Sequence, residues 1–233
     1  MNIRRRLLIL GDSLAFARAV QGQDFPEAWP VIVQDRMTDW AVWQRCRQAS
    51  TIMEVQKEFN LFAGQVDDFS AFVFQVGVVD SCPRPFPYIF QRILNNFASD
   101  SVLKWFAKHY HIMLRVRSRP WISVNQYRSG LVAIIESILA QNSNAKIGIL
   151  ETAHGAHRYL EKIADVNKYI DQYNGVLDEI EASFKGRGQV VILRPYCDVE
   201  IGQLLLADGH HLNKEGHERV ATAVMTLLTE DSV

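Results

Sequence analysis

Cysteine is scarce in this chain: Cys46, Cys82 and Cys197 are the only three. An odd number at wide spacing supports neither a disulfide framework nor a zinc site. No apolar stretch approaches the roughly 20 residues needed to span a bilayer as a helix. An excess of charge of one sign is also missing. Lys and Arg number 25 against 26 Asp and Glu, a formal net charge of -1. Bulk charge therefore points to no nucleic-acid partner and no acidic membrane. There is no internal repeat, no low-complexity segment and no clear linker. The opening Met1-Asn2-Ile3-Arg4-Arg5-Arg6 is basic, as a secretion signal begins. The apolar run after it stops at Gly11, too short for such a signal, and no small-residue cleavage site follows. It reads as a first strand, and a cytoplasmic location is expected.

What is present is an ordinary globular composition, with 48% hydrophobic and 22% charged residues over 233 positions. That length fits one domain, 1–233, able to bury a central sheet with helices on both faces. Five short apolar runs are predicted as strands, over 6–10, 40–45, 71–76, 146–150 and 190–193. The third and fourth are nearly continuous in apolar residues, which suits strands covered on both faces. The second is ambiguous, because Trp40, Val42 and Trp43 equally suit a helix end. Helical spacing is read over 25–37, 87–109 (long enough for one or two helices), 123–141, 157–184 and 213–228, with Asn213 as a candidate N-cap. Lys185-Gly186-Arg187-Gly188 reads as a turn. Strands alternating with helices predict an α/β fold, a three-layer α/β/α sandwich on a parallel five-stranded sheet. A helical insertion rich in aromatics and arginine, around 80–120, is longer than a crossover needs and is expected to pack over one end of the sheet.

Two segments carry chemistry. Gly11-Asp12-Ser13-Leu14 follows the apolar run Leu7-Leu8-Ile9-Leu10, which places a hydroxyl on a turn beyond a strand's carboxyl end, where ligands bind in parallel sheets. A Gly-Asp-Ser tripeptide alone is a common polar turn. Asp208-Gly209-His210-His211-Leu212-Asn213 stands near the other end. A base for Ser13 needs one imidazole nitrogen facing the hydroxyl and the other donating to an acceptor. Asp208 lies within one loop turn of His211 and suits that acceptor. His210 is the adjacent competitor, and His217, one turn into the following helix, reads as a surface or packing residue.

These two segments resemble the first and last sequence blocks of the SGNH/GDSL hydrolase superfamily. Leu212-Asn213-Lys214-Glu215-Gly216-His217, and Tyr173-Asn174 in a long helix ahead of the last strand, add to the likeness. The resemblance implies a flavodoxin-like three-layer fold, a Ser13–His211–Asp208 triad and no metal or other cofactor. Members of the superfamily are esterases, lipases, carbohydrate deacetylases and acyltransferases.

The chain also departs from the superfamily's pattern. The third block places asparagine two positions after a glycine. Here Gly77-Val78-Val79-Asp80 has Val79 at that position. The second block offers a glycine N–H, whereas 45–51 contains no glycine, leaving a backbone N–H of Ala49 or Ser50 to serve. Losing one side-chain donor from an oxyanion hole costs on the order of 3 kcal/mol. Gln75, Arg84 and Asn125 are candidate substitutes. Asp80 and Arg84 are expected near the site mouth. They are read either as substrate groups, for sugar hydroxyls and for a carboxylate or phosphate, or as an internal ion pair. Gly-Val-Val-Asp followed by Cys-Pro-Arg resembles a branch associated with bacterial surface-polysaccharide genes, and leans the reading toward glycan substrates. Arg115, Arg117 and Arg119 beside Trp121 are read as a basic edge for an anionic sugar or a nucleotide-linked group, or as a solvated surface. His154 and His157 are read chiefly as loop residues.

Three functions compete. The leading one is a serine esterase releasing a small acyl group from a small-molecule or glycan ester. The second is an O-acyltransferase with the same triad. The third is a non-catalytic glycan-binding protein on a degenerate hydrolase fold. No sequence pattern fixes the oligomeric state.

Overall fold

A computed structural model describes residues 5–163, 165–187 and 189–230. The side chains of Arg92, Asn95, Asn96, Ala107, His111, Arg115 and Val116 are not described. The first residues of the basic opening and Gly188 of the turn at 185–188 lie outside the described residues.

Five strands form one parallel sheet: β1 (Arg5–Gly11), β2 (Trp40–Cys46), β3 (Ala71–Gln75), β4 (Lys146–Leu150) and β5 (Gln189–Leu193). Their spatial order is β2-β1-β3-β4-β5, the flavodoxin-like arrangement. The continuous apolar runs occupy the centre: Leu7 to Leu10 are fully buried, and so is every residue of β3. The ambiguous second run is an edge strand, with its outer residues alternating in exposure.

Helices cover both faces. Around them come α1 (Trp29–Arg36), α2 (Ile52–Asn60), α3 (Val78–Ser81), α4 (Tyr88–Phe97), α5 (Asp100–Val116), α6 (Val124–Gln141), α7 (His157–Lys162), α8 (Val166–Phe184) and α9 (Lys214–Thr229). Leu8, Leu10, Phe72 and Phe74 pack against α2, α6 and α8 on one face. Leu7, Ile9, Ala71 and Val73 pack against α1 and α9 on the other. This is the expected three-layer α/β/α sandwich.

Two expected helices differ in detail, and 87–109 resolves into two helices, the second running on to Val116. The span 25–37 opens with a 3-10 turn, Phe25–Glu27, before α1. The span 87–109 breaks after Phe97, where Ser99 is the N-cap of α5. The span 157–184 divides into α7 and α8. Helix α2 was not expected. Its signal was the Thr51-x-x-Glu54 capping box, whose reciprocal bonds are both made.

β1 and β3 are neighbours although β2 intervenes in sequence, so the strand order reverses between them. That reversal opens a crevice at the carboxyl ends of the strands. Gly11 pairs with both Cys46 and Gln75 across the sheet. A Cβ at Gly11 would lie 2.3 Å from the Gln75 carbonyl oxygen, so only glycine lets the three strands end level there.

Candidate active site

Ser13 begins a 3-10 turn, Ser13–Ala15, immediately after β1. The fully buried Asp12 caps it by accepting the Leu14 N–H at 2.9 Å. Burial raises the Asp12 carboxyl to about 7, against the opposing Leu14 N–H bond. The hydroxyl of Ser13 lies 3.2 Å from His211 Nε2. His211 Nδ1 lies 2.8 Å from Asp208 Oδ2. With the proton on Nδ1 directed at the carboxylate, Nε2 is left to accept from Ser13.

The loop bearing Asp208 and His211 is pinned at several points. The Ala156 N–H donates to the Gly209 carbonyl at 2.9 Å, and the Leu206 N–H donates to the His211 carbonyl at 2.8 Å. Gly209 has φ 79, and a Cβ there would fall 1.8 Å from the Ala156 oxygen. Asn213 then caps α9, accepting the Gly216 N–H at 3.0 Å.

Both Asp208 oxygens are engaged. Oδ2 accepts from Gln21 Nε2 at 2.7 Å as well as from His211. Oδ1 accepts the backbone N–H groups of His210 at 3.1 Å and His211 at 3.0 Å. Partial burial opposes ionisation. The bonds from Gln21, the two backbone N–H groups and the imidazole outweigh it and hold the carboxyl well below the usual range. His211 is lowered by burial against the opposing pull of Asp208. His210, the sequence competitor, stacks on Tyr159 with ring centroids 4.7 Å apart. Burial and the neighbouring His211 lower His210 to about 4. His217 is an interior residue: its Nδ1 accepts the Trp29 N–H at 3.3 Å.

A cleft of about 490 Å³ opens beside Ser13. Ala49, Val78, Val79, Cys82, Tyr110, Tyr159 and Ile163 supply its largely apolar wall. Arg84 and Lys162 supply positive charge, and Asp208 is the one carboxylate among the described lining residues. A larger depression, about 710 Å³, lies at the opposite end of β5 against Gln189, and none of the expected site residues reaches it.

The expected oxyanion residues divide. Ala49 lines the cleft with φ 57, the left-handed region that glycine occupies without strain. Among the described residues, neither the Ala49 N–H nor the Ser13 N–H is engaged. Ser50 is buried outside the cleft wall, and its N–H reaches the Arg47 carbonyl at 3.4 Å. Gly77 has φ 136, and a Cβ there would lie 2.3 Å from Thr152 Oγ1. It is a position of close backbone approach.

The placement of Asp80 corrects the sequence reading. Asp80 is completely buried and accepts the Ile52 N–H at 2.9 Å, so it holds the start of α2. It is neither at the site mouth nor, among the described residues, paired with Arg84. Burial raises it to about 8, against the Ile52 N–H bond and with the help of Asp12. Arg84 does line the cleft, with its guanidinium 4.8 Å over the Trp121 ring. Of the other candidates to replace the asparagine, Gln75 is buried with Oε1 accepting from Trp29 Nε1, and Asn125 is exposed on α6. Arg117 donates to the Arg84 carbonyl at 2.8 Å, so it braces the loop. His154 pairs with Asp171 at 2.6 Å, and His157 faces the Gly202 carbonyl.

Asp208, His210 and His211 also bring three potential metal-ligand atoms within 4.8 Å of one another. A cation there would compete with the Asp208–His211 bond. Gln21, Tyr110, Tyr159 and Lys162 were missed in the sequence. Gln21 is 187 residues from the carboxylate it touches, so no local pattern marks it.

Solved structures share this fold over nearly the whole chain. "Crystal Structure of TesA" matches with TM-score 0.60 at 17% identity, covering 97% of this chain and 98% of the other. The lipase/acylhydrolase from Enterococcus faecalis matches with TM-score 0.64 at 14% identity, covering 95% and 94%. The psychrotrophic esterase EstA from Pseudoalteromonas sp., in a structure inhibited by monoethylphosphonate, matches with TM-score 0.57 at 14% identity, covering 97% and 100%. No family model and no curated protein matches the sequence. The chain thus has the fold of the G-D-S-L lipolytic proteins, the architecture expected from its two terminal blocks.

Proposed function

We propose that the protein is a serine carboxylic-ester hydrolase of the SGNH/GDSL type, releasing a small acyl group from an acidic carbohydrate. The observation that carries this reading is the continuous relay from Ser13 Oγ through His211 to a fully hydrogen-bonded Asp208. Ser13 attacks the ester carbonyl as His211 Nε2 takes its proton. Asp208 stabilises the imidazolium, which then returns the proton to the departing alcohol. The N–H groups of Ser13 and Ala49 receive the oxyanion. Water, deprotonated by His211, releases the acid and restores the serine.

Arg84 and Lys162 in the cleft wall favour an alcohol portion bearing a carboxylate or phosphate. The aromatic walls from Tyr110 and Tyr159 suit a sugar ring, and they keep acyl transfer to a second sugar as the runner-up. Acetate release from a chromogenic acetate ester, acetylated neutral sugars and acetylated uronic acids tests the reading. The acidic sugars are expected to give the highest kcat/KM, and Ser13→Ala is expected to lose at least about 1000-fold. Full turnover by Ser13→Ala would refute the mechanism. Equal turnover of neutral and acidic sugars would refute the substrate class.

A further inference from the structure

The bulk charge of -1 conceals a strong segregation. Residues 88–119 carry six Lys and Arg against Asp100 alone, a net of +5, so the rest of the chain carries -6. This same segment holds the α4–α5 hairpin, and several of its large apolar residues face solvent. On α4, Ile89, Ile93 and Phe97 recur every four residues and are 71%, 50% and 84% exposed. No described residue of α4 is buried. On α5, Val102, Trp105 and Ile112 share a stripe and are likewise exposed. Contacts from Phe90 to Phe86, Phe86 to Phe106 and Phe106 to Trp105, each 5.0–5.2 Å between centroids, join the two helices into one aromatic surface. Lys104 and Lys108, one turn apart, stand exposed on α5.

We infer that the α4–α5 hairpin docks the protein on an anionic phospholipid surface. Exposed apolar stripes flanked by lysine are what an interfacial helix pair presents. The apolar side chains enter the acyl boundary, and the ammonium groups remain among anionic headgroups. A second copy fits the face poorly, because self-pairing sets +5 against +5. No described helix is long and apolar enough to cross a membrane, so the association is peripheral. Tyr110 and Leu114 of α5 pack at the cleft beside Tyr159 and Ile163, so docking brings the cleft to the headgroup region. The inference rests on this surface and not on the esterase reading.

Flotation of the full chain with vesicles decides it. The protein is expected to float with phosphatidylcholine containing about a third phosphatidylglycerol, to stay behind with phosphatidylcholine alone, and to be released by high salt. Ile93→Asp with Phe97→Asp, and separately Lys104→Glu with Lys108→Glu, should each lower partitioning by about tenfold or more. Both variants should keep the wild-type melting temperature and turnover of a water-soluble ester. Equal partitioning into neutral vesicles overturns the inference, as does no partitioning into either. A wild-type dimer that Ile93→Asp with Phe97→Asp makes monomeric also overturns it, since a second copy then covers the face.

Discussion

Asp208 has no idle oxygen. Its four accepted hydrogen bonds keep it ionised, and an ionised Asp208 fixes the tautomer of His211. Burial nevertheless lowers His211 below its ordinary value, so the imidazole is neutral and able to accept a proton near neutral pH. In the proposed mechanism protonation removes the base, so activity is expected to fall as pH drops through the His211 midpoint. The acid limb of kcat/KM is expected below the ordinary histidine value of about 6.5. A pH series on a soluble ester checks this, and a limb centred above that value would contradict the geometry. At this scale the sequence was partly legible. Asp208 and His211 could be read together because three residues of loop bring them into contact. Gln21 could not be found, and neither could the placement of Ala49 rather than Ser50 on the cleft wall, because both depend on which backbone and side-chain groups meet in space.

Among the elements, strands were the most readable, since continuous apolar runs such as Ala71–Gln75 admit few other fates in a covered sheet. Helix α2 was less readable, because only Ile52, Val55 and Phe59 are buried along its nine residues. Its start is fixed from two directions: the Thr51–Glu54 capping box and the buried carboxylate of Asp80. Removing that carboxylate leaves the Ile52 N–H buried without its acceptor. Asp80→Ala is therefore expected to destabilise the protein by about 1–2 kcal/mol, with Asp80→Asn retaining most of the stability at neutral pH. Urea denaturation of the three proteins measures it. An alanine variant as stable as wild type would show that Asp80 does not hold the helix.

Taken as a whole molecule, the protein is pressed from both ends of the pH scale. His217 is buried and His210 half-buried, and both are lowered to about 4, so their stabilising neutrality is lost as pH falls from about 6.5 toward that value. Asp12 acts in the other direction. Its folded value, about 7, exceeds the unfolded carboxylate value of about 3.9, so the folded state holds the proton longer. The contribution of Asp12 to stability therefore declines as pH rises from about 4 to 7 and levels off above. Asp12→Asn removes this penalty, and its advantage over wild type should grow across that window to a few kcal/mol. Denaturation at pH 5 and pH 8 tests it, and an advantage independent of pH would show that Asp12 is not the group responsible. The alternation of strand and helix, and the carboxylate–imidazole pair within one loop, were determined by sequence alone, because apolar periodicity and short loop spacing are local properties. The meeting of Ser13 with His211 across 198 residues was implied only by family resemblance, and tertiary structure alone decided that Asp80 supports a helix while Arg84 faces the cleft, and that the hairpin's apolar stripes are left uncovered. The reason is that strand register and burial set which distant groups are desolvated together, and no local pattern records that pairing.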